Sequence, residues 1–485
     1  MSTVLVLDVG TTTLRAALVD ERLDIVHLAA RPVISTAPHP GWVEFDATDM
    51  ADAALGAAAA VTGRVDAPPV AVGITNQRAS TVMWDRQTGE PVAPAIGWQD
   101  LRTVGACLDA HRVNGLTLAP NQSATKVAWL LDRVEGARRR DLCFGTVDSW
   151  LAWTLSGGAV HITDHTNAAV TGFYDTPAGS WSATVTDRLG IPASILPTVI
   201  SSSGVVGVAT ALGGSPPIGA LVGDQQGSLV GQGCVRPGSA KITFGSGAML
   251  DVCLDEQPLP VNRRGVHGTF PIVAWSRGDS LVFGLEAMVL TAGTNVEWLR
   301  DGLGLIEQAA DSHDIAAGVE SSDGVTFVPA MAGLGTPYWD YGARSTLLGV
   351  TRGTTAAHIV RAVLDGVAQR GVDLIDATEA DAARHLSTIR IDGGMSANPT
   401  FVQALADLAA RPVEVAPVPD ATTRGAAFLA GLAVGMWDDV QDAADLWTPS
   451  RTVTPAADRA ADRSRWADSV GRAREWIPEL SALHF

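Results

Sequence analysis

Apolar runs that stop at polar, glycine-containing turns organise the beginning of the chain. Val4 to Val9 is such a run, and a glycine with three threonines follows at 10–13, which predicts a buried strand that ends in a turn. Leu14 to Asp20 predicts the returning strand of a hairpin, and Asp24 to Val33 predicts a third strand. The segment is therefore expected to start a β-sheet.

Two later apolar runs also end in polar side chains. Pro69 to Thr75 gives way to the triplet Asn-Gln-Arg at 76–78, and the run that closes with Val222 and Gly223 gives way to Asp224. Polar residues at the carboxyl ends of buried strands are well placed to line a ligand crevice. We therefore expect a binding site at this edge of the sheet.

A helix and a loop complete the first half. Thr125 to Val134 has apolar residues at helical spacing, and Gly204 to Gly219 is rich in glycine, serine and proline, which predicts a loop. We place the switch between two domains near residues 233–240. The predicted domains are therefore 1–235 and 236–485.

The second half opens with the same pattern as the first. Ala240 to Gly247 predicts a short strand that runs into a Gly-Ser-Gly turn, and Ala248 to Leu254 predicts the strand that leads out. A hairpin with a polar turn is thus predicted once in each half.

Helices dominate the rest of the chain. Ala356 to Ala377 keeps apolar residues on one face and predicts an amphipathic helix, whose apolar positions include Ile359, Val363, Val367 and Ile375. Ser387 to Ile391 predicts a strand that ends at Asp392. Asn398 followed by Pro399 predicts an N-cap and the first turn of another helix. Thr448 to about Trp466 predicts a loop that leads to a final surface helix. The mixed order of strands and helices indicates the α/β class.

Composition narrows the class of protein. The chain has 485 residues, of which 46% are hydrophobic and 18% charged, so it is expected to be globular and large enough for two domains. Its net charge of −18 disfavours nucleic acid or an anionic membrane as a partner. It does not exclude ATP, because a phosphate site needs only local donors and a metal ion.

Cysteine usage and the N-terminal residues indicate a cytoplasmic protein. The four cysteines have no CxxC spacing, which predicts reduced, buried thiols and no zinc site or disulfide framework. The first residues, MSTVLVLDVGTTT, lack the features of a signal peptide, and no apolar stretch is long enough to predict a membrane span.

Four glycine-rich turns are candidates for phosphate binding, because backbone N–H groups at such turns can bind phosphate oxygens. They lie around Gly10, Gly245, Gly293 and Gly394. The chain has neither a P-loop motif nor a dinucleotide-binding glycine motif after its first strand, so a P-loop or Rossmann protein is not favoured.

Five side chains near these turns suit phosphoryl transfer. This reaction needs one carboxylate to orient a metal ion and another to accept a hydroxyl proton, and Asp8 and Asp224 end predicted strands. Arg15 could neutralise phosphate charge, Arg78 could hold hydroxyl oxygens, and Trp98 could form an apolar wall. Taken singly, each residue also suits an ordinary turn, surface or core position.

Long segments, in a fixed order, resemble a known family. They are DVGTTTLRAALVD (8–20), GITNQRASTVMWDRQTGEPVAPAIGWQDLRT (73–103), SATKVAWLLD (123–132), GTVDSWLAWTLSGG (145–158), GDQQGSLVGQGCV (223–235), FGSG (244–247), LEAMVLTAGTNVEWLRD (285–301), FVPAMAGLGTPYWDYGARSTLLGVTRGT (327–354) and IDGGMSANPTFVQALADLA (391–409). In these segments, from Asp8 to about Trp437, the chain resembles the FGGY carbohydrate kinases and, within them, the glycerol kinases.

The resemblance implies two actin-like (ribonuclease H-like) domains with a cleft between them, and the use of ATP and Mg²⁺. It implies that Asp224 is the general base, that Arg15 meets the terminal phosphates, and that Asp8 and Asp224 hold the metal. The nucleotide would contact Gly10, Thr11, Thr12, Thr13, Gly245, Ser246, Gly293, Gly394, Met395 and Asn398. The acceptor would contact Arg78, Ala79, Trp98, Asn121, Asp224, Gln225 and Met249. The partner would be a small polyol or sugar, and a homodimer or homotetramer would be ordinary.

Three positions depart from the glycerol kinases. Ala79 stands where they have glutamate, Asn121 where they have tyrosine, and Met249 where they have an aromatic residue. A charge-assisted hydrogen bond to such a glutamate contributes about 1.5–3 kcal/mol, so its loss favours an acceptor other than glycerol, such as a tetritol or a ketose. Two alternatives stay open, a true glycerol kinase that makes glycerol 3-phosphate and a catalytically silent actin-like nucleotide-binding regulator.

Overall fold

The structure is a computed structural model that describes residues 2–257, 259, 264–386, 389–417 and 420–483. The strands of the first half are β1 Val4–Val9, β2 Thr13–Val19, β3 Ile25–Pro32, β4 Ser35–Thr36, β5 Glu44–Phe45, β6 Ala71–Asn76, β7 Val82–Asp85, β8 Ala95–Ile96, β9 Leu142–Gly145, β10 Ile162–Asp164, β11 Tyr174–Asp175, β12 Ser180–Trp181, β13 Thr198–Ile200, β14 Ser203–Val208 and β15 Pro217–Gly223. Its helices are α1 Ala47–Thr62, α2 Val104–Asn114, α3 Ala124–Arg133, α4 Val147–Leu155, α5 His165–Ala169, α6 Ala183–Leu189 and α7 Asp224–Gly231.

The second half contains longer helices. Its strands are β16 Ala240–Phe244, β17 Ala248–Cys253, β18 Phe270–Arg277, β19 Ser280–Val289, β20 Thr326–Val328, β21 Thr346–Leu348, β22 Ile389–Asp392, β23 Val413–Val415 and β24 Arg451–Val453. Its helices are α8 Thr294–Glu297, α9 Asp311–Ala317, α10 Ala356–Ala382, α11 Pro399–Ala409, α12 Ala421–Ala433, α13 Asp442–Asp445, α14 Ala460–Ala473 and α15 Pro478–Ser481. Short 3-10 segments lie at Ala137–Arg139, Ala193–Ile195 and Gly394–Ala397, and a π-helical turn lies at Trp298–Gly302.

The predicted first hairpin is confirmed. Strand β1 pairs antiparallel with β2, which pairs antiparallel with β3. On its other side β1 pairs in parallel with β6, and β6 pairs in parallel with β15. The carboxyl ends of β1, β6 and β15 therefore meet at one edge of the sheet, as the polar residues that follow each apolar run predict.

The second half repeats this arrangement. Strands β16 and β17 form the predicted antiparallel hairpin, and β16 pairs in parallel with β22. One parallel pairing, between Ser203 of β14 and Arg277 of β18, joins the two halves in a sheet of thirteen strands. Helices on this twisted sheet give the α/β class that the sequence predicts.

Helix α12 crosses between the halves. It belongs to the second half of the chain, but its Phe428 and Leu429 share a buried apolar cluster with β1, β6 and β15 of the first half. It also crosses α7 at glycines, since a Cβ on Gly425 would lie 1.9 Å from the Gly227 carbonyl oxygen. Because this apolar cluster contains residues of both halves, it does not mark a boundary between domains. The boundary at residue 235 therefore stays a prediction.

Two predictions for irregular segments are wrong. The predicted loop at Gly204 to Gly219 contains β14 and the start of β15, because the valines of 205–208 form a strand edge despite the neighbouring glycines. The predicted loop in the tail contains β24 and the first half of α14, so the helix begins earlier than predicted. Helix α14 is a surface helix, as predicted, that buries one face, and the short α15 follows it. Its Trp466 is buried and donates from Nε1 to the carboxylate of Asp373 on α10.

Helix α10 is longer than predicted and is buried on most of its sides. Its fully buried Arg370 pairs with Asp373 at 2.6 Å. The face predicted to be polar is therefore covered, because α14 packs over it. The predicted N-cap of α11 is confirmed, since Asn398 accepts from the Phe401 amide at 3.1 Å.

Three further sequence predictions concern the cysteines, the strand before Asp392 and membrane spans. The four cysteines are buried and unpaired, as expected. Ser387 and Thr388, at the start of the predicted strand that contains β22, lie outside the described residues. Among the described helices, none combines the length and apolar character needed to cross a membrane.

Candidate active site

The edge formed by β1, β6 and β15 brings the predicted acidic residues together. Asp8 lies near the end of β1 opposite Thr75 of β6, and Asp224 directly follows β15. Both contact the first turn of α12, because Thr423 Oγ1 donates to Asp8 Oδ2 at 3.1 Å and Thr422 Oγ1 donates to the Asp224 carbonyl at 3.2 Å. The second half thus closes over this edge.

Asp8 lies among charged groups of both halves. Its Oδ2 is 3.9 Å from Arg15 Nη1, which also lies 3.3 Å from Asp420 Oδ1. Burial raises the pKa of Asp8 to about 6, and the carboxylates of Asp224 and Asp420 add to the shift against the opposing effect of Arg15. A cation at this position would relieve the repulsion among these carboxylates.

Asp224 is accessible at the same edge. Its side chain is 32% exposed, so it is not sealed from an acceptor. Oδ1 lies 3.3 Å from Arg78 Nε and accepts from the Gln225 amide at 2.8 Å. Partial burial raises the pKa of this carboxyl although Arg78 opposes the shift. A carboxylate with a raised pKa is a better proton acceptor than an ordinary aspartate.

Arg78 connects the two halves. Its Nη2 lies 2.7 Å from Glu286 Oε2 on β19, while Nε faces Asp224. Gly223 leaves room for this side chain, because a Cβ there would lie 2.7 Å from Arg78 Cδ. The guanidinium is therefore fixed between one carboxylate from each half.

The first glycine turn is tied to the predicted acceptor wall. The Gly10 amide donates to the Thr13 carbonyl at 3.0 Å, which closes the turn, and Gln77 Nε2 donates to the Gly10 carbonyl at 3.1 Å. Trp98 Nε1 donates to Thr11 Oγ1 at 3.0 Å. The structure thus brings Trp98 beside the turn in which Thr12 is exposed.

A buried lysine that the sequence reading did not single out supports the rest of this wall. Lys126 is fully buried, and its Nζ donates to the carbonyls of Gly97, Trp98 and Asn121 at 2.8, 3.2 and 3.4 Å. Burial lowers the pKa of Lys126 to about 7, although Asp100 opposes the shift. Ser123 Oγ donates to the carbonyl of Ala79 at 3.0 Å, so the segment that carries Asn121 also holds Ala79.

The second glycine turn packs against α8. The Gly293 amide donates to the Gly245 carbonyl at 2.9 Å, and the Ala292 amide donates to the Ser246 carbonyl at 2.6 Å. A Cβ on Gly293 would lie 2.7 Å from the Gly245 carbonyl oxygen, so glycine is required there. Met249 follows on β17 opposite Met288. Its part in acceptor binding stays a prediction.

The remaining predicted nucleotide residues follow β22. Because β16 and β22 are parallel, the Gly245 turn and the Gly394 segment lie at the same edge. Met395 is buried, and Asn398 donates from Nδ2 to Ser312 Oγ at 2.9 Å while it caps α11. The amide nitrogen and the amide oxygen of the Asn398 side chain therefore both have hydrogen-bond partners within the protein.

The donor set near Asp8 fits Mg²⁺ in the way this ion usually binds. Among the described residues, no group of three His, Cys, Asp or Glu side chains converges on one metal position. Mg²⁺ is commonly held by one or two carboxylates together with substrate phosphates and water. Asp8 and Asp224 supply oxygen donors of that kind.

Family models match most of the chain, up to residue 434. The N-terminal domain of the FGGY family of carbohydrate kinases matches residues 3–231, and its C-terminal domain matches residues 240–434. The chain is 44% identical to a glycerol kinase of Aromatoleum aromaticum over 98% of this chain and 100% of that protein. It is 42% identical to a glycerol kinase of Trichlorobacter lovleyi over 98% of this chain and 99% of that protein.

Solved structures give the same fold. A glycerol kinase of Plasmodium falciparum with ADP superposes with a TM-score of 0.90 at 28% identity, covering 98% of each chain. A ligand-bound xylulose kinase of Lactobacillus acidophilus superposes with a TM-score of 0.87 at 20% identity, covering 99% of each chain, which supports the fold alone.

Proposed function

Because the chain belongs to the FGGY family of carbohydrate kinases and is an ATP-dependent sugar or polyol kinase, we propose that Asp224 is its general base. We further propose that its preferred acceptor is a polyol or sugar other than glycerol. The observation that carries the first proposal is the accessible Asp224 carboxylate, whose pKa is raised by partial burial although Arg78, 3.3 Å away, opposes the shift.

The proposed reaction is a direct transfer in which the acceptor oxygen bonds to the terminal phosphorus as the bond to ADP breaks. Asp224 takes the hydroxyl proton, and Arg15 stabilises charge on the transferring group. Asp8, with Asp224, would hold Mg²⁺, which supplies charge neutralisation on the phosphates when bound. The turns at Gly10 to Thr13 and at Gly245 to Gly247 would offer backbone donors to the phosphates.

The remaining nucleotide contacts follow from the resemblance. Gly293, Gly394, Met395 and Asn398 would bind the nucleoside, and this assignment is supported by their position at the edge where β16 and β22 end. The turn of the first half and the turn of the second half would then hold opposite sides of one nucleotide.

The proposal of an acceptor other than glycerol rests on three side chains. Ala79 has no carboxylate to accept from an acceptor hydroxyl, Asn121 is exposed and smaller than tyrosine, and Met249 is not aromatic. Trp98, 36% exposed, would cover the carbon skeleton, while Arg78 and Gln225 bind hydroxyls. Glycerol is the second candidate acceptor, because the relatives that are 42–44% identical carry the name glycerol kinase.

An ADP-release assay over polyols and ketoses of three to six carbons tests the acceptor. We expect kcat/KM for glycerol at least about tenfold below that of the best acceptor, the equivalent of one lost charge-assisted hydrogen bond. A value for glycerol within tenfold of the best acceptor contradicts the altered specificity. Absence of turnover with every acceptor would favour the silent regulator.

Asp224→Asn tests the base. Removal of a general base typically lowers kcat by about 10²–10⁴, and ATP binding should change little. Asp255→Asn is a matched control, because Asp255 is an exposed aspartate paired with Arg384. Near-normal kcat in Asp224→Asn would remove the assignment.

A further inference from the structure

Arg78 and Gln225, two predicted acceptor residues, belong to a closed set of contacts that crosses the two halves. Arg78 contacts Asp224 and Glu286, and Lys241 contacts Asp251 and Gln225. Asp251 and Glu286 face each other on β17 and β19. These contacts lead from Asp224 through Arg78 to Gln225. Because Gln225 directly follows Asp224 in the chain, the set closes into a ring. We call these six side chains the polar ring: Asp224, Arg78, Glu286, Asp251, Lys241 and Gln225.

Lys241 fixes the direction of the Gln225 amide. The lysine is fully buried on β16, and its Nζ lies 2.7 Å from Asp251 Oδ2, 2.7 Å from Gln225 Oε1 and 3.0 Å from Thr243 Oγ1. An ammonium group only donates, so Gln225 must meet it with Oε1. The Nε2 group of Gln225 is thereby left to donate to an acceptor oxygen.

Glu286 fixes the Arg78 guanidinium in a similar way. The 2.7 Å contact from Nη2 to Glu286 holds one nitrogen of the planar group, and a second nitrogen, Nε, lies 3.3 Å from Asp224. Arg78 is 11% exposed and Glu286 is 6% exposed at their side chains, so water screens this pair weakly. The orientation of Arg78 toward an acceptor therefore depends on a residue of β19.

Stability alone gives little reason for the polar ring. Well-packed apolar residues commonly replace a buried ion pair without loss of stability. The ring also places three carboxylates with two cations, and burial, with the neighbouring Asp251 carboxylate, raises the pKa of Glu286 against the effect of Arg78. Burial of these charged groups costs free energy, so we look for another role of the polar ring. That role is to fix the orientation of the Gln225 and Arg78 side chains.

We propose that Lys241 and Glu286 are positioning residues for the acceptor. From the sheet of the second half they hold Gln225 and Arg78 of the first half in the orientation that binds acceptor hydroxyls. The inference rests on the proposed function, in which those two residues contact the acceptor. It assigns to the second half a part in acceptor recognition as well as in nucleotide binding.

Two variants test the proposal with the full-length enzyme and its best acceptor from the panel. Glu286→Gln removes the charge that holds Arg78. The double variant Lys241→Met with Asp251→Leu removes a buried pair together, so no unpaired charge remains. Glu414→Gln is the matched control, because Glu414 also pairs with an arginine, Arg390, at 3.2 Å in the sheet of the second half.

The expected result is a rise of about tenfold or more in the acceptor KM of both variants, with the ATP KM changed by less than about twofold. The control should match the wild type in both constants. The double variant should keep the acceptor KM raised even when its thermal midpoint equals that of the wild type.

An unchanged acceptor KM in Glu286→Gln overturns the proposal. The proposal is also overturned if the double variant has both the acceptor KM and the stability of the wild type. Lys241 would then serve only to neutralise Asp251. These outcomes are separate from failure of the proposed base, which appears as near-normal kcat in Asp224→Asn whatever the polar-ring variants do.

Discussion

Only two of the 34 basic residues are lysines, and the structure buries both of them completely in different surroundings. Lys126 meets three backbone carbonyls, and the nearby carboxylate of Asp100 is already paired with Arg102 at 2.7 Å. Lys241 meets a carboxylate directly, at 2.7 Å from Asp251. One lysine holds main chain, and the other holds side chains.

In the proposed acceptor pocket, the two lysines support neighbouring residues in two different ways. Lys126 fixes the main chain of Trp98 and Asn121, so the side chains at those positions can change without loss of the support. Lys241 fixes the Gln225 side chain itself, so its effect is specific to that amide. Lys126 supports the main chain of the proposed pocket wall, and Lys241 sets the direction in which Gln225 Nε2 donates.

Replacement of the two lysines tests the difference between them, and we expect the largest loss of stability in Lys241→Met. The substitution leaves Asp251 buried without its partner, which should lower the free energy of unfolding by about 3–5 kcal/mol. Equilibrium unfolding in urea measures the change. Addition of Asp251→Leu should restore most of it, and a double variant as unstable as the single one would contradict the ion-pair explanation.

Lys126→Met should have a smaller effect. The three carbonyls lose their donor, but no unpaired charge is created, so a loss of about 1–3 kcal/mol is expected. The same urea titration compares the two lysines. A loss as large as that of Lys241→Met would mean that the ammonium of Lys126 is compensating a carboxylate such as Asp100.

The stability that depends on Lys126 should rise with pH. Its pKa is about 7 in the folded protein against 10.5 without burial, so between these values the unfolded chain holds a proton that the folded chain lacks. Stability relative to Lys126→Met should therefore increase from pH 7 toward pH 10.5 and be lost as the pH falls through 7.

Lysine labelled with ¹³C at the ε-carbon provides a direct measurement, because the spectrum contains only two side-chain signals. We expect one signal to titrate near pH 7 and to be missing in Lys126→Met. A Lys126 signal that does not titrate below pH 9 would rule out the lowered pKa.

The smallest expected stability change is that of Asn121→Tyr. Lys126 holds the carbonyl of Asn121 and not its exposed side chain, so the free energy of unfolding should change by no more than about 0.5 kcal/mol. The larger ring should lower kcat/KM for the best large acceptor relative to glycerol. Unchanged selectivity across the acceptor panel would exclude Asn121 from the pocket.

Local signals predicted much of the fold. The β1–β2 hairpin, the β16–β17 hairpin and the Asn398 cap each depend on residues close together in the chain, and each is confirmed. Packing of α12 on the first half depends on contacts more than 200 residues apart, such as Ser203 Oγ to the Leu429 carbonyl. Periodicity carries no information on such contacts.

The site was predicted in part. Asp8, Arg15, Arg78 and Asp224 meet at one edge as expected, and their catalytic roles remain predictions. Lys241 and Glu286 were missed because a charged residue within a strand usually faces solvent, and the sequence does not show that β16 and β19 are buried at these positions. The one available signal was the scarcity of lysine. The expected homodimer or homotetramer also stays a prediction.

Burial of both lysines has a practical consequence. Reagents that acylate or cross-link side-chain amines have no lysine on the surface of the folded protein to attack. Such a reagent would modify a lysine only after the structure around β16 or α3 has opened. Mass spectrometry of the two modified positions would therefore time the opening of each region separately.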